Sequence, residues 1–301
     1  MRTAHRLPRL LRLAPGDRVG ETSYHVVGPF ARGGMGALYD VVHETLARRA
    51  LLKVVAEPFR SDANVAERLL EEARLLDLLR GASVPTVFDA GALGDGRPFF
   101  VMEKLDGSDL RRELGRLGVL SVPSALRIVA DVLGALDAVH ERGVVHGDLK
   151  AENIFITDDR RVVLLDLGAA QRLGETRGHD APRIGTPRSM APEQFHGDAL
   201  DERTDLYAIG LLLYELLVGR GPFDAQARSA EDFHASHSVR VPVAPSLRAP
   251  QRVPLEVDMV VLRALAKQPR ERFVSAADML GALLEASASQ VEHEPTASSW
   301  T

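Results

Sequence analysis

The chain of 301 residues carries 37 basic and 42 acidic side chains, a net charge of −5, and 45% hydrophobic residues. This composition predicts a globular protein of one large domain or two modest lobes, and its scattered charges provide no basic stripe for nucleic acid. Without cysteine the chain can form no disulfide, no thiolate nucleophile and no cysteine-based zinc site, which favours a reducing, cytoplasmic location.

The first 22 residues predict a flexible, arginine-rich arm. Its apolar patch is broken by Arg12 and no small-residue cleavage site follows, so the sequence does not predict a secretory signal. A helix that binds a membrane surface or a partner is the alternative for this arm. The most apolar stretch, Tyr207 to Gly219, contains Glu215 and is too short to span a bilayer, so we expect a buried helix and no membrane span.

Strand-like runs around one helix extend from Tyr24 to about Leu105. The run from Ala50 to Val55 predicts a buried strand, and the run from Phe99 to Glu103 predicts another. Between these two runs, apolar residues recur at helical spacing in a segment that opens near Asp62 or Asn64. Either residue can cap the helix.

The rest of the ordered chain has a mainly helical pattern. The stretch from Ser121 to Glu141 predicts a long helix, and the proline-rich residues 240–255 predict a loop. His234 and His237 have no acidic or cysteine ligands at a fitting spacing, so we expect surface side chains and not a metal pair. Residues 287–301 are mostly Ser, Ala, Glu and His, which predicts a disordered tail.

Three short strings follow one another in the middle of the chain. They are His146-Gly147-Asp148-Leu149-Lys150-Ala151-Glu152-Asn153, Asp166-Leu167-Gly168 and Ala191-Pro192-Glu193. Each string alone is weak, and an isolated aspartate is ordinarily a turn or helix cap. The ordered set resembles the catalytic loop, metal-binding loop and closing motif of protein kinases. The string from Gly185 to Gln194 resembles the peptide-docking loop of bacterial, eukaryotic-type (Hanks-type) serine/threonine protein kinases.

This resemblance runs from about residue 24 to 286 and implies the α+β, bilobal protein-kinase fold. The kinase domain would cover residues 23–286, with a small β-rich lobe and one main helix over 23–105 and a larger helical lobe over 106–286. It implies an enzyme that transfers the γ-phosphate of ATP to serine or threonine hydroxyls of protein substrates. The alternative is a pseudokinase, a nucleotide-binding signalling scaffold without transfer. A small-molecule phosphotransferase would lack the docking loop.

The resemblance assigns ATP binding to residues spread along the chain. These are Ala31, Arg32, Gly33, Gly34, Met35, Gly36, Leu38, Leu51, Lys53, Met102, Glu103, Leu105, Asn153 and Asp166. The glycines would let backbone N–H groups approach the phosphates, although an ordinary glycine-rich hairpin turn fits the same string equally well. Ala31 and Leu38 replace the usual glycine and valine, which predicts altered nucleotide affinity and not lost binding. Leu51 replaces a small alanine and is expected to narrow the adenine pocket.

Four charged residues are the catalytic candidates that the resemblance implies. Asp148 would accept or orient the proton of the substrate hydroxyl, and Lys150 would steady the γ-phosphate. Lys53 would contact the α and β phosphates and pair with Glu72, with Glu71 as the alternative partner.

Asn153 and Asp166 would hold magnesium, with manganese possible, because carboxylate and amide oxygens are ligands that magnesium favours. The resemblance also implies contacts that hold the site together. These join Thr186 to Asp148 and Lys150, Glu193 to Arg272, and Asp205 to the catalytic loop.

Gly147 stands directly before Asp148, where most regulated kinases of this family carry arginine. That arginine normally receives the phosphate of an activation-loop threonine. Glycine offers no such bond, and Thr176 is the only serine or threonine between Ala169 and Ile184. We therefore expect a kinase of the non-RD type that needs no loop phosphorylation and is controlled by expression, localisation or a regulatory protein partner. Substitutes for the missing arginine are the alternative, and the candidates are Arg161, Arg172 and Arg188.

Overall fold

The computed structural model describes residues 13–33, 35–175 and 185–292, without the side chains of residues 289–292. The chain divides into two compact units. The first comprises residues 1–81 and 85–105, and the second comprises residues 82–84 and 106–301. The first is built on a β-sheet and the second is mainly helical, so the predicted α+β class is confirmed.

The first unit is an antiparallel five-stranded sheet with a helix packed against it. Its elements are β1 (Tyr24–Arg32), β2 (Gly36–His43), β3 (Arg49–Val55), α1 (Ala63–Leu78), β4 (Val87–Ala92) and β5 (Pro98–Glu103). The strand order is β1-β2-β3-β5-β4. Helix α1 packs on β3 and β5, so central strand β3 is buried on both faces and has an almost continuous apolar sequence. Of the two capping candidates, Asp62 is the N-cap, since its carboxylate accepts from the backbone N–H of Asn64.

Part of the predicted N-terminal arm belongs to the folded unit. Val19 is fully buried in the core between the sheet strands, and Leu13 packs against the same core. Arg18 forms an isolated β-bridge with His25. The prediction of a flexible arm is therefore wrong for residues 13–22, because burial of Val19 fixes the backbone around it. Residues 1–12 lie outside the described residues.

The second unit contains five short strands and seven α-helices within the described ranges. In chain order its elements are β6 (Gly107–Asp109), α2 (Leu110–Leu117), α3 (Val122–His140), β7 (Val144–Val145), β8 (Ile154–Thr157), β9 (Val162–Leu164), β10 (Gln171–Arg172), α4 (Pro192–His196), α5 (Glu202–Val218), α6 (Ala230–Val239), α7 (Leu255–Ala264) and α8 (Ala276–Glu292). Its longest helices are α3, α5 and α8. Helix α5 packs against α3 and α7, and α3 packs against α8. Almost every residue of α5 is buried, as expected for a helix that is apolar on all sides. It ends at Gly219, whose left-handed backbone (φ 84°) closes the last turn.

Two other sequence predictions are corrected in the second unit. Helix α8 continues to Glu292, so the tail predicted from residue 287 is helical over its first six residues; residues 293–301 lie outside the described part. Residues 287–292 continue a helix that is already formed, so they need no new nucleation step. His237, predicted at the surface, is fully buried. None of the helices within the described ranges is both long and apolar enough to cross a membrane.

Candidate active site

In the first unit, Lys53 and Glu72 form a partly buried ion pair. Lys53 lies on β3, and its Nζ is 2.6 and 2.8 Å from the two carboxylate oxygens of Glu72 on α1. Glu72 is buried, whereas Glu71 is exposed and lies 3.0 Å from a guanidinium nitrogen of Arg74. Of the two glutamates left open by the sequence, the structure therefore selects Glu72 as the partner of Lys53.

The glycine-rich string forms the hairpin between β1 and β2. The backbone N–H of Gly33 donates to the carbonyl of Gly36 at 2.9 Å. A Cβ at Gly36 would lie 3.7 Å from Cε of Lys53, so the hairpin backbone lies against the lysine side chain. Ala31 pairs with Leu38 across the hairpin, and the turn at Gly33 is exposed. Arg32 and Met35 flank that turn, and Gly34 lies outside the described residues.

The residues assigned to the adenine lie on β3, β5 and the segment that follows. Leu51 is nearly buried and stands directly opposite Met102 in the antiparallel register. The N–H of Glu103 donates to the carbonyl of Thr86 at 2.8 Å. The N–H of Leu105 has no hydrogen bond to any residue that the structure describes, and it is therefore available to a ligand acceptor.

In the second unit, Asp148, Lys150 and Thr186 form one hydrogen-bonded cluster. Nζ of Lys150 donates to Oδ2 of Asp148 and to Oγ1 of Thr186, the latter at 2.6 Å. The backbone N–H of Thr186 donates to Oδ1 of Asp148 at 3.0 Å. Both carboxylate oxygens of Asp148 are thus oriented from opposite sides, and the predicted contact of the docking loop with the catalytic loop is present.

The two candidate metal ligands occupy adjacent backbone segments of the same unit. Nδ2 of Asn153 donates to the carbonyl of Asp148 at 2.8 Å. Because a carbonyl can only accept, this bond identifies the donating end of the amide and leaves Oδ1 of Asn153 as the atom that could serve as a ligand. The N–H of Leu165 donates to the carbonyl of Asn153 at 2.8 Å, and Asp166 follows with a left-handed backbone (φ 59°). Left-handed backbone is uncommon in residues other than glycine and clusters at functional sites, although Ala47 and Arg160 of this chain also adopt it.

This donor set fits magnesium. Within the described ranges, no three His, Cys, Asp or Glu side chains are grouped so that they could hold a metal by themselves. Magnesium does not need such a group, because it is commonly held by one or two protein oxygens together with substrate phosphates and water. A carboxylate from Asp166 and an amide oxygen from Asn153 meet that requirement.

Asp205 of helix α5 fixes the backbone of the catalytic loop. Its Oδ1 accepts from the N–H of Gly147 at 2.8 Å, and its Oδ2 accepts from the N–H of His146 at 2.8 Å and contacts Nε2 of His140 at 2.9 Å. Burial alone would raise the pKa of the Asp205 carboxyl, but the hydrogen bond and charge of His140 and the backbone donors outweigh burial and lower it. The carboxylate therefore stays ionised at neutral pH.

A buried ion pair holds the end of the docking loop. The two carboxylate oxygens of Glu193 accept from Nη1 and Nη2 of Arg272 at 2.7 and 2.8 Å. Glu193 also accepts from Oγ1 of Thr204 at 2.9 Å. The predicted pairing of Glu193 with Arg272 is present, and it ties the docking loop to helix α5 and to the segment after α7.

Two sets of contacts around the site were not predicted from the sequence. Nε2 of Gln194 donates to the carbonyl of Gly147 at 2.8 Å, which joins the docking loop to the catalytic loop. Gln194 stands in the third position of helix α4, where a glutamine that bonds back to the N-cap backbone is a recognisable signal. The second set pairs Arg111 and Arg188 with Glu215. No spacing in the sequence indicates that these distant residues meet.

Comparison with known proteins agrees with this geometry. Residues 24–282 match the family described as protein kinase domain. The chain is 36% identical over 276 residues to the serine/threonine-protein kinase PknH of Mycobacterium bovis, covering 91% of this chain and 46% of that protein. It is 37% identical over 278 residues to Pkn1 of Myxococcus xanthus, covering 89% of this chain and 39% of that protein.

The chain thus spans less than half the length of these curated relatives. Among solved structures, it resembles the PknI kinase domain of Mycobacterium tuberculosis, with a TM-score of 0.70 and 28% identity over 91% of this chain and 99% of that one. The family match covers most of the chain and includes both units with their candidate residues. The chain belongs to the protein kinase family, and its relatives are bacterial serine/threonine kinases of the Hanks type.

Proposed function

We propose that this protein is a serine/threonine protein kinase that uses ATP and magnesium to phosphorylate protein substrates. The observation that carries the proposal is the cluster of Asp148, Lys150 and Thr186, in which both oxygens of one carboxylate are held by donors. Phosphoryl transfer depends on positioning of the reactants and on neutralisation of charge more than on covalent chemistry. This cluster positions the carboxylate that would act on the substrate hydroxyl.

In the proposed reaction, the serine or threonine hydroxyl oxygen forms a bond to the γ-phosphorus. The bond between that phosphorus and the bridging β,γ-oxygen breaks, and ADP leaves with the electron pair. The hydroxyl proton passes to the carboxylate of Asp148, and Lys150 neutralises charge on the transferred group. The contact of Lys150 with Thr186 supports the preference for serine and threonine, because it links the catalytic loop to the docking loop.

In this proposal Lys53 supplies a positive charge to the phosphates, and Asp166 supplies a carboxylate to the magnesium ion. Lys53, oriented by Glu72, would bind the α and β phosphates. Asn153 and Asp166 would hold magnesium, which when bound neutralises the phosphate oxygens, and manganese would fit the same oxygens. The Leu105 N–H and the backbone of Glu103 would bind the adenine edge, beside Met102 and Leu51.

The pseudokinase is the rival function, and Ala31, Leu51 and Gly147 are the departures that favour it. None of these three residues supplies a charge to the proposed reaction. The deciding experiment incubates the purified protein with labelled ATP, magnesium or manganese, and a panel of acidic and basic proteins, followed by phosphoamino-acid analysis. Labelled phosphoserine or phosphothreonine is expected. ATP binding without any labelling would favour the pseudokinase.

A matched pair of variants tests the role of the catalytic aspartate. Asp148→Asn should lower the turnover number by ~10²–10⁴-fold, since general-base groups contribute about that much. ATP affinity should stay within about twofold, because the carboxylate acts on the hydroxyl. Asp158→Asn changes an exposed aspartate near the same loop and should leave both quantities unchanged. Equal activity of the Asp148→Asn variant and the parent would refute the assignment.

We also propose that activity does not depend on phosphorylation of the activation loop, in keeping with the non-RD interpretation. Gly147 has φ 75°, and a Cβ there would lie 2.9 Å from the carbonyl of Ala169, so a side chain at this position is strained. Asp205 and Gln194 hold the loop through backbone atoms of Gly147 without any side chain at that residue. Arg188, a candidate substitute for the missing arginine, is already paired with two carboxylates.

The test of this proposal compares initial rates of untreated parent, phosphatase-treated parent and the Thr176→Ala variant with a fixed substrate. Thr176 lies outside the described residues. All three samples should agree within about tenfold, which corresponds to about 1.4 kcal/mol of barrier. A larger loss in the treated parent or the variant would contradict the proposal while leaving the kinase activity itself established. A cytoplasmic location and control by a regulatory protein partner stay predictions.

A further inference from the structure

A small cavity lies beside the catalytic and docking loops of the second unit. Its volume is about 60 Å³, and both Lys150 and Thr186 line it. Five further charged side chains line the same cavity: Arg111, Glu152, Arg188, Glu215 and Asp224. Because Lys150 also touches Asp148, a substrate segment that reaches the candidate catalytic carboxylate passes next to this cavity.

Glu215 is the buried centre of the charges in this cavity. Its side chain is 11% exposed, and it projects from helix α5. Nη1 and Nη2 of Arg111 donate to its two oxygens at 3.0 and 2.9 Å, and Nη2 of Arg188 donates to Oε1 at 2.6 Å. Two guanidinium groups of the chain itself therefore saturate the one buried carboxylate that could attract a positive substrate side chain.

The other two carboxylates of the cavity are also engaged. Asp224 accepts from Nε of Arg188 at 2.9 Å and from the backbone N–H of Gly221 at 2.6 Å. Glu152 accepts from Nε of Arg111 at 2.8 Å. Burial would raise the pKa of the Glu152 carboxyl, but the hydrogen bond and charge of Arg111, a backbone hydrogen bond and the charge of Lys150 together outweigh burial and lower it, so the group stays ionised. The remaining oxygen of Glu152 is on a half-exposed side chain, where an added ion pair contributes only about 0–1 kcal/mol.

The cavity still offers hydrogen-bond donors. Nη1 of Arg188 has no hydrogen bond to any residue within the described ranges, and the side chain is 36% exposed. Apolar side chains such as Leu149 and Phe223 form much of the remaining wall, which also includes Ser189 and His237. A site whose carboxylates are engaged while an arginine nitrogen is open favours a substrate side chain that accepts hydrogen bonds.

We propose that Arg111 and Arg188 set the substrate preference of this kinase, so that the cavity admits an acidic substrate side chain and rejects arginine or lysine. This inference rests on the proposed kinase function. A basic substrate side chain would add a positive charge to a cavity that Arg111, Arg188 and Lys150 already line, and the carboxylates of Glu152, Glu215 and Asp224 are engaged by the two arginines. Discrimination by such like-charge contacts is a common source of specificity. Arg111 and Arg188 are specificity residues and take no part in the transfer itself.

The experiment uses the whole chain and a set of peptides with one central serine. Arginine, aspartate or alanine is placed in turn at each of the four positions before and after the serine. Two quantities are measured for each peptide: kcat/KM with ATP and magnesium, and Kd by titration calorimetry with a non-hydrolysable ATP analogue. The parent is compared with Arg188→Ala and with Arg127→Ala, which removes an exposed arginine in the second turn of helix α3, outside the lining of the cavity.

At one position at least, the parent should favour aspartate over arginine by fivefold or more in Kd, and in kcat/KM where turnover is measured. In Arg188→Ala this ratio should fall by at least fivefold or reverse, because a substrate guanidinium can then pair with Glu215 and Asp224 in place of the missing one. Arg127→Ala should keep the parental ratio. The ratio is taken within each variant, so a general loss of activity cancels.

The inference is overturned if the parent shows no such preference at any position, if Arg188→Ala and Arg127→Ala keep the same ratio, or if no peptide binds. Failure of the proposed function has a different signature. If peptides bind with the expected charge preference but none is phosphorylated, the kinase activity is refuted and the selectivity of the cavity stands.

Discussion

Replacing Arg272 by methionine tests whether the buried ion pair stabilises the second unit. The guanidinium is 2% exposed, and all five of its N–H groups find acceptors. Two of these bonds go to Glu193 and the others to carbonyls of Arg203, Ala266 and Lys267. Methionine has a similar length and no donors, so it leaves the Glu193 carboxylate buried with Thr204 as its remaining donor.

Removal of one partner from a buried ion pair costs about 3–5 kcal/mol, because the other charge is left uncompensated. For a domain of this size each kcal/mol lowers the melting temperature by about 2–4 °C, so Arg272→Met should lower it by roughly 6–20 °C. Thermal denaturation followed by circular dichroism measures the shift. Arg263→Met is the matched control, since Arg263 is half exposed, its ion pair with Asp278 is long at 3.4 Å, and the expected loss is at most about 1 kcal/mol.

A double variant separates the lost pairing from lost packing. Glu193→Leu with Arg272→Met removes both charges, and a buried pair replaced by apolar groups often regains stability. The double variant should therefore melt at a higher temperature than Arg272→Met alone. A single variant that melts within about 2 °C of the parent, or a double variant that melts below the single one, would refute the reasoning.

Three further predictions follow from the backbone and the buried charges. Gly147→Ala should reduce the free energy of unfolding in urea by about 1–3 kcal/mol, because alanine must take φ 75° against a nearby carbonyl; an unchanged midpoint would contradict this. Burial lowers the pKa of the His237 imidazole to about 3, so between about pH 6.5 and 3 the unfolded chain binds a proton that the folded chain does not. The free energy of unfolding should therefore fall as the pH drops through this range. His237→Phe should reduce the dependence of the melting temperature on pH. Lys53→Met and Glu72→Gln should both weaken ATP binding and slow turnover, whereas Glu71→Gln should match the parent in the same titrations.

The residues of the catalytic loop and docking loop could be predicted because their order and offsets form one pattern. The choice between Glu71 and Glu72 could not, since it depends on which side of α1 faces β3, and a shift of one residue rotates a helical side chain by about 100°. The burial of His237 was missed for a similar reason. Its partner is the Tyr207 hydroxyl at 2.8 Å, thirty residues away in the sequence.

Both ends of the folded region differ from the prediction, because the amino-acid composition of a segment does not show which folded residues the segment packs against or continues. Residues 13–22 contain few apolar side chains, yet Val19 fills a place in the sheet core and Leu13 packs against it. Residues 287–292 offer little to bury, but they continue a helix whose preceding turns are packed through Leu283 and Ala286. Propagation of an existing helix adds one hydrogen bond per residue without a new nucleation step, so such an extension needs little packing of its own.

Helix α5 connects the candidate catalytic carboxylate to the proposed specificity cavity. Asp205, near its start, holds the catalytic loop through two backbone N–H groups, and Glu215, ten residues later, anchors both arginines of the cavity. At 1.5 Å per residue, these two anchors lie about 15 Å apart along one rigid element. Buried charges are poor stabilisers, since desolvation offsets much of their attraction, and they are better explained by the geometry they fix. We therefore expect that a substrate side chain bound in the cavity stays at a constant distance from Asp148, because both are held by the same helix.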